Sequence, residues 1–383
     1  MSVDQGIASF LGLMRQARAP LPQVVLEDGT RTYLATRYAD VRRLLPHTQF
    51  SRSIASAARG APGPALAMSV TEMDPPMHTR IRRLVAGAFT ARRIERLRPR
   101  IKQIARALLD GMIAAGPPAD LVSRYAAPLT FEAQCEVLGV PAPYRGTIRA
   151  WSVARSGQPG ATPEKTQAAE LRLHACVTQV LMDKRCRPSG GLFDQLIAAR
   201  DQHGLIDETE LRGIAASLFF DGHFLTAMQI ANSVLCLLES PDALRLLSAD
   251  PGLISRAVEE LVRLHPAVNH SMPRVATADL ELGDMTIRAG EAVTAALPLA
   301  NRDDAVFTQS DQLSLSRPAN RHLSFGHGIH YCLGAHLARV ELQVALTVLL
   351  QRLPGLRLAV PSIGLDWFVT QGARGVQALP VCW

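Results

Sequence analysis

The sequence lacks the paired cysteines that would indicate a disulfide scaffold or a structural zinc site. Its six cysteines include no C-x-x-C pair and are sparse for a chain of 383 residues. They are Cys135, Cys176, Cys186, Cys236, Cys332 and Cys382. This usage favours a reducing compartment, and the cytoplasm is the simplest one.

Charge of one sign is not concentrated in any tail. Lysine and arginine number 41 against 34 acidic residues, and the net charge of +7 is spread through stretches with helical spacing. This pattern argues against nucleic-acid binding, whereas a modest basic excess suits an acidic protein partner.

Internal repeats and low-complexity tracts are also missing. The first residues do not combine a basic segment with a long apolar run, so we expect neither a signal peptide nor a membrane anchor. With 48% hydrophobic residues the chain can bury a large core. The length alone fits one large domain or two.

Hydrophobic periodicity predicts a mainly α protein with small β-sheets at its margin. Asp28-Gly29, lying between two β-favouring runs, predicts a hairpin near the start. Residues 53–76 have no clear period and are predicted to form a substrate-side loop. The other predicted elements are helices between residues 80 and 197, a long central helix at 208–239 that does not span a membrane, helices at 253–264 and 333–350, a hairpin at 280–287 and an edge strand at 376–383.

The clearest chemical signal is the segment from Phe325 to Gly334, FGHGIHYCLG, with a helical pattern directly after it. A cysteine near a helix N-terminus is stabilised as a thiolate by free backbone N–H groups and the helix dipole. Glycines on both sides let the backbone approach a flat ligand closely. The alternative for Cys332 is a buried, inert thiol, which is what we expect of the other five cysteines.

This segment closely resembles the haem-binding loop of the cytochrome P450 family, Phe-Gly-x-Gly-x-His-x-Cys-x-Gly. The resemblance implies one P450 domain over residues 1–383, with the central helix above haem b. It implies that Cys332 binds the iron and that Phe325, Gly326 and Gly334 surround the haem. In such proteins the thiolate pushes electron density onto iron and favours O–O cleavage.

Further segments match the same family in the expected order. Glu260 and Arg263 resemble its structural Glu-x-x-Arg pair, although the spacing alone would suggest a surface ion pair. By the same resemblance the haem propionates are expected to bind His78, Arg82, Arg274 and His322. A family arginine is replaced within Asp311-Gln312-Leu313, so the third member of the Glu-Arg-Arg network is either missing or supplied by Arg317.

The central helix departs from the family at the positions that deliver protons during oxygen activation. The usual acid and alcohol are replaced by Phe224 and Leu225, which cannot transfer protons. His223, Thr226 and Asp221 are the candidate replacements, the last two if the helix is locally bulged, and a polar group on the substrate is a further one.

The resemblance also predicts a largely apolar substrate pocket. Its expected residues are Phe220, Phe224, Leu225, Asn269, His270, Ser271, Met272, Trp367, Phe368 and Val369. For each residue taken alone, ordinary core packing is an equal alternative.

The leading hypothesis is an enzyme that oxidises a small natural product with dioxygen and electrons from a ferredoxin-type donor and its reductase. The altered proton-delivery positions suit a polar substrate bound close to the iron and C–C or C–N coupling, for example of an aromatic cyclodipeptide. Plain hydroxylation of a polyketide or terpenoid is the competing reaction. A non-catalytic haem-thiolate sensor and a helical binding module remain alternatives.

Overall fold

A computed structural model describes residues 21–26, 29–58, 69–155, 163–370 and 372–383. Its described helices carry most of the core. They are α1 (Tyr38–Leu44), α2 (Arg52–Ala58), α3 (Met77–Ala86), α4 (Ala91–Ala115), α5 (Ala127–Leu138), α6 (Ala142–Arg155), α7 (Pro163–Cys186), α8 (Leu192–Asp201), α9 (Glu208–Asp221), α10 (Phe224–Leu238), α11 (Pro241–Ala249), α12 (Ile254–Leu264), α13 (Leu297–Ala300) and α14 (Ala335–Arg352).

Twelve short strands form four small sheets in the described part of the chain. The strands are β1 (Gln23–Val25), β2 (Arg31–Ala35), β3 (Phe50–Ser51), β4 (Ala119–Asp120), β5 (Arg274–Ala276), β6 (Leu280–Leu282), β7 (Met285–Ile287), β8 (Ala292–Ala295), β9 (Arg357–Leu358), β10 (Trp367–Thr370), β11 (Ala373–Val376) and β12 (Pro380–Cys382). The largest sheet has the order β1-β2-β8-β5-β3, with β2 and β8 parallel. The predicted mainly α architecture with marginal sheets is confirmed.

Both predicted hairpins form, as β1–β2 and as β6–β7. The C-terminal strand was predicted at an edge, and this was wrong. β12 lies between β4 and β9, because its backbone pairs with both neighbours. The segment 53–76 is not wholly irregular either, since α2 covers its beginning, while residues 59–68 lie outside the described part.

The central helix is two helices. α9 ends at Asp221 and α10 begins at Phe224, with the turn Gly222-His223 between them. Every residue from Ala227 to Leu237 is buried, and α10 packs on α5, α12 and α14. By length and composition the segment Glu208–Leu238 passes the test for a membrane span, but 75% of its most apolar window is buried inside the protein.

Candidate functional site

The loop before α14 has a shape that its glycines permit. Gly326 and Gly328 have φ of 74° and 75°, a region that favours glycine. A Cβ on Gly328 would also lie 2.6 Å from the Cα of Pro46. The Cys332 N–H donates to the Phe325 carbonyl over 2.8 Å, and the cysteine side chain is exposed, two residues before Gly334, the residue that precedes the first turn of α14.

Phe325 supports the loop from the side. The guanidinium of Arg339 lies 4.4 Å from the centre of the Phe325 ring, and Arg339 is itself held by Glu259 through two hydrogen bonds of 2.7 and 2.9 Å. A Cβ on Gly334 would meet nothing within 4 Å. The three predicted loop residues therefore frame the cysteine, and open space remains at Gly334.

His78 and Arg82 of α3 come together with Arg274 of β5 beside this loop. His78 is only 2% exposed, and neither of its ring nitrogens has a hydrogen-bond partner among the described residues. Arg82 donates to the carbonyl of Tyr331, next to the cysteine. Arg274 is 1% exposed, and its hydrogen bonds to described residues are long, at 3.3–3.5 Å to Ser271, Met272 and Leu45.

Two further basic side chains belong to this cluster and were missed from the sequence. The ring of His330 lies 4.3 Å from that of His78, and the Arg52 guanidinium is close enough to lower the pKa of both histidines. His330 occupies the histidine position of the loop motif, so a signal for it was present. The sequence contains no signal for Arg52, because this residue reaches the cluster only when α2 packs in the folded protein.

The positive charge of the arginines in this cluster favours an anionic ligand. Burial lowers the pKa of Arg274 to about 10 and that of His330 to about 2, and neighbouring arginines lower the latter further. Asp74 is the nearby carboxylate, and it already accepts hydrogen bonds from Ser51 and Ser53. Buried cations with spare donors fit the two carboxylates of a haem.

His322, which was predicted to bind a propionate, is hydrogen-bonded to other residues in this structure. Its Nε2 lies 3.1 Å from a carboxylate oxygen of Glu259, and its Nδ1 accepts from the Ser324 N–H over 3.2 Å. A propionate contact would have to replace one of these bonds, and this role of His322 stays a prediction. The sequence could place this histidine near the loop but could not reveal the competing carboxylate.

Glu260 and Arg263 form a buried, bidentate ion pair, with N–O distances of 2.8 and 2.9 Å and both side chains 0% exposed. Arg317 is the third member, donating to both oxygens of Glu260 over 3.0–3.1 Å. Burial alone would raise the pKa of Glu260, but the arginine partners hold it below its usual value. The network joins α12 to the segment before the cysteine loop.

The break in the central helix changes the role of His223. Its Nε2 lies 2.6 Å from Ser152 Oγ and its Nδ1 lies 3.0 Å from the Phe219 carbonyl. Burial lowers the pKa of His223 to about 4. With both nitrogens engaged and the ring neutral at pH 7, His223 is not free to donate a proton as the sequence suggested.

Of the other predicted proton donors, Thr226 is half-buried, and the side chain of Asp221 lies outside the described residues. Leu225 is 39% exposed, in contrast to the buried residues from Ala227 onwards. It therefore faces open space next to the helix break.

The predicted pocket residues divide into two groups. Phe224 and Phe368 meet edge to face at 5.5 Å and pack with Met228, Ala267 and Ala373. A cavity of about 380 Å³ lies between these two rings, His223 and α6. The side chains of Phe220 and Val369 lie outside the described residues.

The second group makes contacts with neighbouring parts of the protein. Trp367 stacks under Arg374 at 4.3 Å, and Ser271 Oγ accepts from the Ala295 N–H over 3.1 Å. The Asn269 N–H donates to the Gly372 carbonyl over 2.8 Å. His270 Nδ1 lies 2.9 Å from the Ser271 carbonyl, and Met272 is half-buried.

Comparison with known proteins gives consistent results. Residues 252–354 match the family model described as Cytochrome P450. The mycinamicin IV hydroxylase/epoxidase of Micromonospora griseorubida is 44% identical over 96% of this chain and 94% of its own length. The nocardicin C N-oxygenase of Nocardia uniformis subsp. tsuyamanensis is 43% identical over 96% and 94%.

Among solved structures, SgvP, a candidate thioether synthase involved in the tailoring step of griseoviridin, superposes with a TM-score of 0.88. It is 38% identical, and the match covers 98% of this chain and 96% of that one.

Proposed function

The chain belongs to the cytochrome P450 family and is a monooxygenase of that family, and we propose that it oxidises a small natural product with haem b bound through Cys332. The observation that carries the proposal is the exposed Cys332 beside a buried cation cluster with unused hydrogen-bond donors. The relatives act on mycinamicin IV and nocardicin C, which are natural products.

Five residues of this chain would hold the two haem propionates: His78, Arg82 and Arg274, together with Arg52 and His330. The open space at Gly334 would let the loop approach the haem, and Phe325 packs against Arg339 on the side of the loop. When bound, the haem supplies dioxygen activation with electrons from a separate donor.

Proton delivery in this protein relies on few groups. Phe224 and Leu225 cannot carry protons, and His223 is committed to Phe219 and Ser152. Thr226, Asp221 and a polar group of the substrate remain. We therefore expect Thr226→Val to lower the yield of product per electron, whereas an unchanged yield favours the substrate-assisted route.

We propose that the substrate is an aromatic, peptide-like molecule such as a cyclodipeptide and that the product contains a new C–C or C–N bond. Phe224 and Phe368 offer edge and face contacts to aromatic rings. The substrate loses two hydrogens as two protons and two electrons. With two electrons from the donor and two protons from solvent, these reduce dioxygen to two waters.

Oxygen insertion is the second candidate reaction, because the two curated relatives are a hydroxylase/epoxidase and an N-oxygenase. Mass spectrometry of turnover under labelled dioxygen separates the two. Coupling gives a product lighter by two hydrogens and free of label. A labelled main product would overturn coupling and leave the monooxygenase assignment standing.

We propose that the electrons come from a ferredoxin-type protein with its reductase. We also propose that the protein is cytoplasmic and that residues 1–383 form a single domain. The first turns of α4 carry the exposed Arg92 and Arg96, and Glu95 between them interacts with His336 at the start of α14. This basic surface, Arg92 and Arg96, lies close to the cysteine loop and suits an acidic donor.

A further inference from the structure

The break in the central helix is maintained by side-chain hydrogen bonds from His223 itself and from two other helices. In a continuous helix the N–H of Gly222 would donate to the Leu218 carbonyl, and that of His223 to the Phe219 carbonyl. At the turn, His223 has φ of −126°, outside the helical range. The carbonyls of Leu218 and Phe219 both accept from side chains.

Gln134 of α5 is the hydrogen-bond donor to the Leu218 carbonyl. Its Nε2 donates to the Leu218 oxygen over 2.9 Å, and its side chain is 2% exposed. Its carboxamide also fills the space beside Gly222, because a Cβ added to Gly222 would lie 2.2 Å from the amide carbon and nitrogen. Gln134 therefore supplies the hydrogen bond that the helix would make and occupies the room that a side chain there would need.

His223 is the hydrogen-bond donor to the Phe219 carbonyl. Its Nδ1 donates to Phe219 and its Nε2 accepts from Ser152 of α6, while its ring packs edge-on against Phe131 of α5 at 5.4 Å. The imidazole is neutral at pH 7 because burial lowers its pKa to about 4. Helices α5 and α6 thus both contact the break.

We propose that Gln134 is a positioning residue for the oxidation reaction. By holding the Leu218 carbonyl and the space at Gly222, it keeps the central helix open and fixes the positions of Leu225 and Thr226, which directly follow the break. The role in the reaction rests on the proposed function. The role in the helix break stands on the geometry alone.

Gln134→Ala removes both the donor and the bulk of the amide. We expect the Gly222 N–H to regain the Leu218 carbonyl, so hydrogen exchange of the Gly222 and His223 amides slows. We also expect product per electron consumed to fall several-fold, with the difference released as peroxide. Gln229→Ala is the matched control, because Gln229 is a buried glutamine of α10 that bonds the backbone of His265 and Ala267 away from the break.

Gly222→Ala should have the same effect as Gln134→Ala, since the new methyl group expels the amide from the Leu218 carbonyl. In the double variant the amide is already gone. The fold-loss of product per electron should therefore equal the larger of the two single losses, and should not be the two losses multiplied together. This non-additivity should also appear in the equilibrium constants of unfolding, which need no turnover.

Unchanged or faster exchange at Gly222 and His223 in Gln134→Ala would overturn the proposal, as would losses that multiply in the double variant. A variant that is less stable but keeps its product per electron would reduce Gln134 to a packing residue. If the parent protein shows no thiolate-bound haem, the proposed function fails, and the exchange and unfolding arms still decide the role of Gln134.

Discussion

At the scale of single residues, Cys332 and the cation cluster have side chains that are placed to bind a large ligand. His78 is buried without a partner for either ring nitrogen in the described part of the chain. Leaving such a group unsatisfied typically costs about 1–3 kcal/mol. Haem carboxylates would remove this cost, so the cluster is explained by binding and not by folding.

Removing one propionate partner should therefore weaken haem retention without changing the axial ligand. We expect Arg82→Ala and Arg274→Ala each to lose about 1.5–3 kcal/mol of haem binding free energy, since the bonds are charge-assisted. Haem transfer to apomyoglobin measures this loss. Arg83→Ala, an exposed neighbour on α3, is the control, and retention equal to the parent in both test variants would contradict the assignment.

The predictability of these residues from the sequence depended on how local their determinants are. Cys332 was identified because its loop is a continuous segment with a fixed spacing. Arg52 was not, because only the folding of α2 brings it to His78. The contact of His322 with Glu259, a partner on another element, could not be predicted from the sequence either.

At the scale of elements, the central helix shows the same limit. Apolar residues recur across Gly222 with helical spacing, so the pattern predicted one helix from 208 to 239. The break depends on Gln134, a residue of α5 that no local pattern links to Gly222. The edge position predicted for β12 was wrong because strand neighbours are set by long-range pairing.

The Glu260 network gives a second prediction at this scale. Glu260→Gln should destabilise the protein by about 3–5 kcal/mol, because it leaves buried arginine charge unpaired. In the parent, the lowered pKa of Glu260 means that its contribution is complete above the unfolded pKa of about 4.3 and is lost as the pH falls through the folded value. Glu260→Gln should lack this acid dependence.

Urea unfolding at several pH values tests the Glu260 prediction. Asp242→Asn is the control, because Asp242 and Arg245 form an i,i+3 pair of the same type whose side chains are 93% and 73% exposed. Its effect should stay below about 0.5 kcal/mol. Equal losses from the two substitutions would contradict a structural role for the buried network.

For the whole molecule, the sequence correctly predicted a mainly α fold, because apolar periodicity and turn residues are spread along the entire chain. The distribution of charge on the folded surface was less accessible. The net charge of +7 does not tell where on the surface the positive charge lies, whereas the fold places Arg92 and Arg96 near the start of α14.

Charge reversal at this basic surface should slow reduction by a ferredoxin. We expect Arg92→Glu with Arg96→Glu to lower the reduction rate several-fold at low ionic strength and to flatten its dependence on salt, because the donor is no longer steered. Stopped-flow reduction measures both. Arg288→Glu, an exposed position after β7, is the control, and an equal effect there would refute a localised docking surface.

The central claim is that Cys332 binds haem iron as a thiolate. Its most direct test is the absorption spectrum of the purified, reduced protein under carbon monoxide. The account predicts the strongly red-shifted Soret band of thiolate ligation, and its loss in Cys332→His despite remaining bound haem. A parent spectrum of the histidine-ligated type, or a red-shifted band that survives in Cys332→His, would contradict it.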